Sequence, residues 1–378
     1  MTVSSKKFFS WALGCFLVFS LPLLAHDRDN HDGGPAGAVY SMTNAATGNA
    51  VVVFERKSDG TLVYKTTVAT GGLGSGAPLA SQSSLAMTDD GHFLLASNAG
   101  DNTVSVLRVD DQKLTLASRV ASGGTFPYSI AVHDDLVYVL NAGNSSGANS
   151  NVSGFRLDRH GNLTAIPHSI TGLSTAFVDP AQVGFDHDGD VLVVTERGTN
   201  TIDVFPVRNT GKLDTIVTNA SAGSWPYGFA FGHRNQLIVA EAAAMAPNAS
   251  TVSSYIVHED GNLTTLSGAV PTHQTAACWT VVTENGRYTY ITDALSKSIS
   301  GFWIAPSGGI QLLDASGVTA VDTIGFTVDA ALSSDSRYLY VFSILGSGVT
   351  AYKVNWDGSL TTIQSLPNSS LGAGLVAR

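Results

Sequence analysis

The chain has 378 residues, 44% of them hydrophobic and only 13% charged, with a net charge of −10. That apolar content suits a packed globular core rather than a disordered chain, and the acidic balance, with no basic patch to track phosphates, excludes nucleic acid as a partner. Two cysteines, Cys15 and Cys278, are too few for a disulfide framework.

The N-terminus reads as a targeting segment. Lys6 and Lys7 precede an apolar run from Phe8 to Leu24, and Ala25 fits the last residue before cleavage, so residues 1–25 are expected to be a signal peptide rather than a membrane span. Residues 26–37, charged and glycine-rich, read as a solvated leader, and the mature chain is expected to be secreted or periplasmic. Removal of Cys15 leaves Cys278 alone, in the apolar stretch Ala276–Thr280, where a buried structural thiol is expected.

From residue 38 to 378 one pattern repeats seven times: short apolar segments followed by an Asp-Gly type turn and a leucine. The turn leucines are Leu62, Leu114, Leu163, Leu213, Leu263, Leu312 and Leu360, spaced 48 to 52 residues apart. In the third copy Tyr128–Val132 is an inner strand, Leu136–Leu140 a fully apolar second strand, Asn151–Leu157 a third and Leu163–Ile166 an outer one. Seven four-stranded units at this period define an all-β, seven-bladed β-propeller, because each blade exposes two apolar faces that only its neighbours can cover. The first copy lacks an inner strand, while Gly372–Arg378 follows the seventh outer strand and has the inner-strand pattern. The C-terminus is therefore expected to join the N-terminal blade and close the ring. Glu241–Ala246 can form only a short helical turn within a loop.

Alignment of the copies places one residue at the end of each second strand: Asn44, Asn98, Asn141, Glu196, Glu241, Asp293 and Ser343. An apolar strand needs no acid at its end for packing, so these polar groups are expected to face the channel mouth. There three neighbouring carboxylates would repel unless a cation or Arg197 compensates them, or one stays protonated. Turn capping is the alternative. Tyr128 and Tyr227, after Phe126-Pro and Trp225-Pro, supply an aromatic rim, and His273 lies in an entry loop.

The stretches Val191–Phe205 and Leu94–Val106, with the repeated Asp-Gly-x-Leu turns, resemble the seven-bladed lactonase family that includes bacterial 6-phosphogluconolactonase and fungal carboxymuconate lactonizing enzyme. The resemblance implies a small-molecule ligand, a lactone or carboxylate. Where those enzymes have His-Pro-His-Gln in the fourth-blade entry loop, this chain has Asp179-Pro-Ala-Gln182, without either histidine.

Three readings follow. The leading one is a lactonase-like protein, without cofactor, with Glu196 as acid/base, Arg197 as carbonyl or carboxylate anchor, and Gln182 and Glu241, Asp293, Asn141, Asn98, Tyr128, Tyr227 and His273 orienting the ligand. A second is a Ca²⁺- or Mg²⁺-dependent hydrolase with Glu196, Glu241, Asp293 and Asn141 as oxygen ligands. The third is a noncatalytic envelope or extracellular scaffold. Nothing in the sequence specifies an oligomeric state.

Overall fold

A computed structural model describes residues 1–2, 36–111, 113–143, 148–344, 348–368 and 372–378. The chain divides into two compact units, 1–34 and 35–378. The expected signal peptide and most of the leader lie outside the described residues.

The second unit is a ring of seven antiparallel blades, and the only helix among its described residues is a 3₁₀ turn at Ala243–Met245. Blade 1 pairs Leu62–Ala69, Ala50–Arg56, Gly37–Met42 and, innermost, Ala373–Ala377. The C-terminal strand thus supplies the missing inner strand, with Tyr40 opposite Val376 and Ser41 opposite Leu375. Blades 2 to 7 begin at the inner strands Leu85–Met87, Pro127–His133, Pro180–Phe185, Pro226–Phe231, Ala277–Val282 and Phe326–Leu332.

The turns between third and outer strands use their glycines in the left-handed region, with φ of +86° at Gly60 and +79° at Gly211. Those turns also join the blades. The hydroxyls of Tyr138, Tyr290 and Tyr340, on the second strands of blades 3, 6 and 7, donate to the carbonyls of Gly211, Gly358 and Gly60 in the following blade, each at 2.9 Å. The third of these spans the ring closure. Second strands are buried along their whole length in blades 2 to 6, as expected of strands covered on both faces.

Inner strands bulge at one common level. The pairing register shifts at Pro127/Ser129, Pro180/Gln182, Pro226/Phe229, Ala277/Thr280 and Thr327/Asp329. After the bulges of blades 3, 4 and 5 the freed N–H is taken by a neighbouring element: Ile130 N–H by the Ser83 carbonyl (2.8 Å), Val183 N–H by Ser129 Oγ (3.2 Å), and Phe229 N–H by Gln182 Oε1 (2.6 Å). A collar of hydrogen bonds therefore runs around the channel from blade to blade. Blade 5 has Gly228 at this level and no side chain to offer. Gln82, from the connection between blades 1 and 2, fills the gap, accepting from Thr280 N–H (3.0 Å) and donating to Thr280 O (2.7 Å) in blade 6.

Residues 79–84 thus cross the channel. The Ala80 carbonyl accepts from the Tyr128 and Tyr227 hydroxyls, the latter at 3.0 Å, and Ser81 Oγ donates to the Tyr128 carbonyl at 2.5 Å.

Candidate functional site

The residues ending the second strands do not converge on the channel mouth; from blade 2 onward each is held chiefly by its own blade and the connection that enters it, and Asn44 by the connection that leaves blade 1. Asn98 accepts from Asn49 and Thr70 and donates to Thr103 and Ser105. Asn141 donates toward Asn151 and Ser153, and Asn44 bonds Ser75 and the Ala77 carbonyl. Glu241 accepts from Ser221 (3.1 Å), Gly223 N–H (2.8 Å), Ser253 (2.6 Å) and Thr251. Asp293 accepts from Ser300 at 2.7 Å, and Ser343 donates to Asp322. The expected mutual repulsion is relieved blade by blade: Glu241 is met by hydroxyls and an amide N–H, whereas the buried Asp293 keeps its Oδ1 without a partner and burial raises its pKa well above the ordinary value, so that this acid is held protonated.

The same arrangement leaves the proposed metal set ungathered. Glu196, Glu241, Asp293 and Asn141 sit in four blades among separate partners, and no group of three or more His, Cys, Asp or Glu side chains is placed to hold a metal ion among the described residues.

Glu196 follows the pattern with one departure. Its Oε1 accepts from Ser174 N–H (3.1 Å), and its Oε2 accepts from Ser174 Oγ (2.5 Å), Thr199 (2.6 Å) and Thr201 (2.9 Å). In blades 2, 3, 5 and 6 the third-strand partner at this place is Ser105, Ser153, Ser253 or Ser300. In blade 4 it is Asp203, fully buried, whose Oδ2 accepts from the same Ser174 N–H at 3.1 Å. Two carboxyls in one dry site share a proton. Burial, the hydrogen bond to Glu196 and its charge push Asp203 up to about 8. Glu196 stays ionised: burial raises its pKa, but the hydrogen bonds from Asp203, Ser174 and Thr199 bring it below the ordinary value.

Arg197 turns the other way, over the aromatics. Its Nη2 donates to Asp179 Oδ1 (2.6 Å) and, more weakly, to the Tyr128 hydroxyl and Pro180 carbonyl (both 3.4 Å); its Nε points to the Asp179 carbonyl (3.4 Å). The guanidinium carbon lies 4.6 Å from the Tyr227 ring centre and 5.9 Å from that of Trp225. Nη1 has no partner among the described residues. The side chain is only 8% exposed, yet its carboxylate partner Asp179 is 54% exposed, so the pair reaches from the buried floor to solvent. Burial pulls the guanidinium's pKa down, but Tyr128, Tyr227 and Asp179 outweigh it, and the charge is retained.

Backbone geometry fixes this rim. Phe126, Asp179, Trp225 and Ala276 are equivalent residues just before their inner strands, and all are left-handed, with φ of +62°, +47°, +61° and +62°. The Phe126 and Trp225 N–H groups are held by the side chains of Asn102 and Asn200, each at 2.7 Å. Asp179 is the acid in a row otherwise occupied by two aromatics and an alanine. Lys297 adds a second cation, 5.1 Å from the Phe326 ring centre at the entry of blade 7.

Among the other expected site residues, Tyr128 and Tyr227 meet at the Ala80 carbonyl as a floor beneath Arg197. Gln182 is committed to Phe229 through both ends of its amide. His273 is exposed in the loop between blades 5 and 6. Cys278 is buried beside Tyr227 and Trp279, and burial pushes its thiol far above the ordinary range. Sequence reasoning noticed Asp179 only as a lost histidine and overlooked Asp203; comparison of Asp203 with the serines of the other copies would have found it.

The family model for a seven-bladed β-propeller lactonase matches residues 45–180 and 148–279, together more than half of the chain. The protein belongs to that lactonase family. A 6-phosphogluconolactonase from Pectobacterium atrosepticum is 22% identical over 220 residues, covering 56% of this chain and 63% of that protein. One from Yersinia enterocolitica is 24% identical over 222 residues, with the same coverage of each. The match therefore spans somewhat under two thirds of these relatives. Among solved structures, the periplasmic gluconolactonase of Pseudomonas aeruginosa superposes with a TM-score of 0.71 at 15% identity, covering 90% of this chain and 98% of the other. A Lactobacillus plantarum protein gives 0.70 at 17% identity, covering 92% and 100%.

Proposed function

We propose that the protein is an exported lactonase that opens a small lactone at the channel mouth, with Arg197 and Asp179 as the working pair. The observation that carries this reading is the half-satisfied Arg197: a buried, aromatic-stacked guanidinium, fixed on one side and offering Nη1 on the other. A lactone carbonyl oxygen bonded to Nη1 gains negative charge as the carbonyl carbon becomes tetrahedral, and a fixed cation stabilises that change.

Asp179 Oδ1 is taken by Arg197, which leaves Oδ2 to accept a proton from water. The water oxygen adds to the carbonyl carbon, the ring C–O bond breaks, and the proton passes from Asp179 to the departing alkoxide. The product is the open hydroxy acid, whose carboxylate pairs with the same guanidinium. Glu196, the acid/base expected from the sequence, has both oxygens taken up, so in this reading it positions the Leu173–Asp179 entry loop. Family membership supports the reaction class. Export rests on the Lys6–Ala25 pattern, and no helix among the described residues is long and apolar enough to cross a membrane.

The test is hydrolysis of a panel of five- and six-membered lactones, aldonolactones included. Asp179→Asn and Arg197→Met should each lower kcat/KM at least 100-fold, and Asp179→Asn, at an exposed position, should leave the melting temperature within about 2 °C. Wild-type protein inert to the whole panel, or variants as active as wild type, would overturn the reading.

A further inference from the structure

The face of the ring away from Arg197 carries the turns from inner to second strands, and their charge divides by blade. Blades 2, 3 and 4 expose Asp89, Asp90, Asp134, Asp135, Asp188 and Asp190 there, with no Lys or Arg. Blade 5 exposes Arg234 beside His233 and no acid; blades 6 and 7 expose Arg287 and Arg337 with one acid each, Glu284 and Asp335. In blade 1 the chain end, Arg378 with its terminal carboxylate, takes the place of the turn. These charges are little used within the fold. Asp135 pairs with Arg156 at 2.5 Å and Asp90 with His92 at 2.8 Å, but Asp89, Asp188, Asp190, Arg234 and Arg287 have no ion pair among the described residues.

The gaps between blades repeat the contrast. The gap between blades 2 and 3 is an open recess of about 310 Å³ edged by Asp89, Asp90, Asp134, Asp135 and Asp158, with Arg159 as its one basic residue. The gap between blades 6 and 7 is lined by Arg287, Arg337 and Asp335, with Trp356 at its edge. Trp356 is 86% exposed near the tip of a glycine turn whose counterparts are Ser58, Arg159, Asn209, Glu259 and Pro306, so the indole adds little packing to its own blade. Tryptophan and arginine are the residues that protein contacts favour over the rest of a surface.

We propose that two copies of the chain associate face to face through these turns, about a twofold axis that runs through blade 1 and between blades 4 and 5. In a ring of seven blades that axis sets blade 2 on the partner's blade 7, blade 3 on its blade 6, blade 4 on its blade 5 and blade 1 on its blade 1. Each acidic turn then meets a turn that carries an arginine, each such contact occurs twice, and Arg378 meets the partner's terminal carboxylate. Glu284 and Asp335 subtract from the match in blades 6 and 7, whereas blade 5, with no acid on its turn, sets Arg234 against Asp188 and Asp190 in full. The gap with Trp356 at its edge falls on the acidic recess between blades 2 and 3. The outer turns of blades 4 and 5 carry the opposite signs and match as well, since Arg208 of one is brought toward Glu259 and Asp260 of the other. A net charge of −10 by itself keeps copies apart, so this local complementarity supplies the attraction. Both Arg197 mouths stay outside the contact, which stands or falls independently of the lactone reading.

Sedimentation equilibrium of the purified protein at pH 7 and up to about 100 µM tests this, in about 50 mM and about 500 mM NaCl, which screen exposed charges weakly and strongly. A dimer should form at low salt, with Kd at least tenfold higher at high salt, the reverse of an apolar association. Arg234→Glu should weaken the dimer at least tenfold. Adding Asp188→Arg to that variant should bring Kd back to within about threefold of wild type, because each reversed side chain meets the other across the axis. A monomer at low salt, a dimer that salt leaves unchanged or strengthens, an unaffected Arg234→Glu variant, or a double variant as weak as Arg234→Glu alone would each overturn the proposal. The salt comparison uses wild-type protein alone, so it decides the matter even if a variant fails to fold.

Discussion

The Glu196–Asp203 pair should make stability fall as pH rises through the neutral range. Asp203 is raised to about 8 in the fold from an ordinary 3.8, so between those limits the native state holds one proton that the unfolded chain has lost. The unfolded state then binds fewer protons, and stability declines by at most about 1.4 kcal/mol per pH unit, levelling off above pH 8. Glu196 is shifted the opposite way, downward, so its contribution is gained below about pH 4.5 and is flat afterwards. The window from pH 5 to 8 therefore belongs to Asp203, with an upper limit of about 4 kcal/mol and, after relaxation of the entry loop, an expected change of about 2 kcal/mol. Asp203→Asn keeps a donor for Glu196 and an acceptor for Ser174 N–H but does not titrate. Urea unfolding of both proteins at pH 5, 6, 7 and 8 gives the difference directly, and the other buried acids cancel in it. The variant should gain on wild type steadily up to pH 8; a difference constant within about 0.5 kcal/mol would refute the shared proton.

Deletion of Gly372–Arg378 removes the inner strand of blade 1 and uncovers Tyr40 and Met42, and should lower the melting temperature by at least about 6 °C; a shift under 2 °C contradicts strand closure. Gly228→Ala would place a Cβ 2.2 Å from Gln82 Oε1 and 2.5 Å from the Cys278 carbonyl oxygen, and should cost about 1–3 kcal/mol in chemical denaturation. No loss would mean that residues 79–84 do not cross the channel. Cys278 should resist a thiol reagent in the native protein and react only at the rate of global unfolding, as followed by absorbance; prompt labelling of native protein would show an open route to it.

Blade number and ring closure were legible because each rests on local pattern: a leucine after each glycine turn, and an orphan inner-strand sequence at Gly372–Arg378. The positions of Asn98, Glu196 and Glu241 at the ends of second strands were legible too. The direction of their side chains was not, since it is set by hydroxyl partners such as Ser174, Thr201 and Ser253 on other segments. Equally out of reach was the bond of Gln82 to Thr280, which joins residues 198 positions apart and leaves no periodic trace. Asp179 was visible in the sequence, but its value depends on the left-handed backbone that aims it at Arg197.

The segment from Leu79 to Ser84 has a further consequence for traffic through the molecule. A propeller axis left open is a tunnel, along which a solute can enter at one face and leave at the other. Here the Ala80 carbonyl, gripped by two tyrosine hydroxyls, and the Gln82 amide, gripped by Thr280, bar that route with main-chain and amide atoms anchored in blades 3, 5 and 6. With the axis barred there, any solute that reaches the Arg197 side has to leave past the rim of Phe126 and Trp225 by which it came.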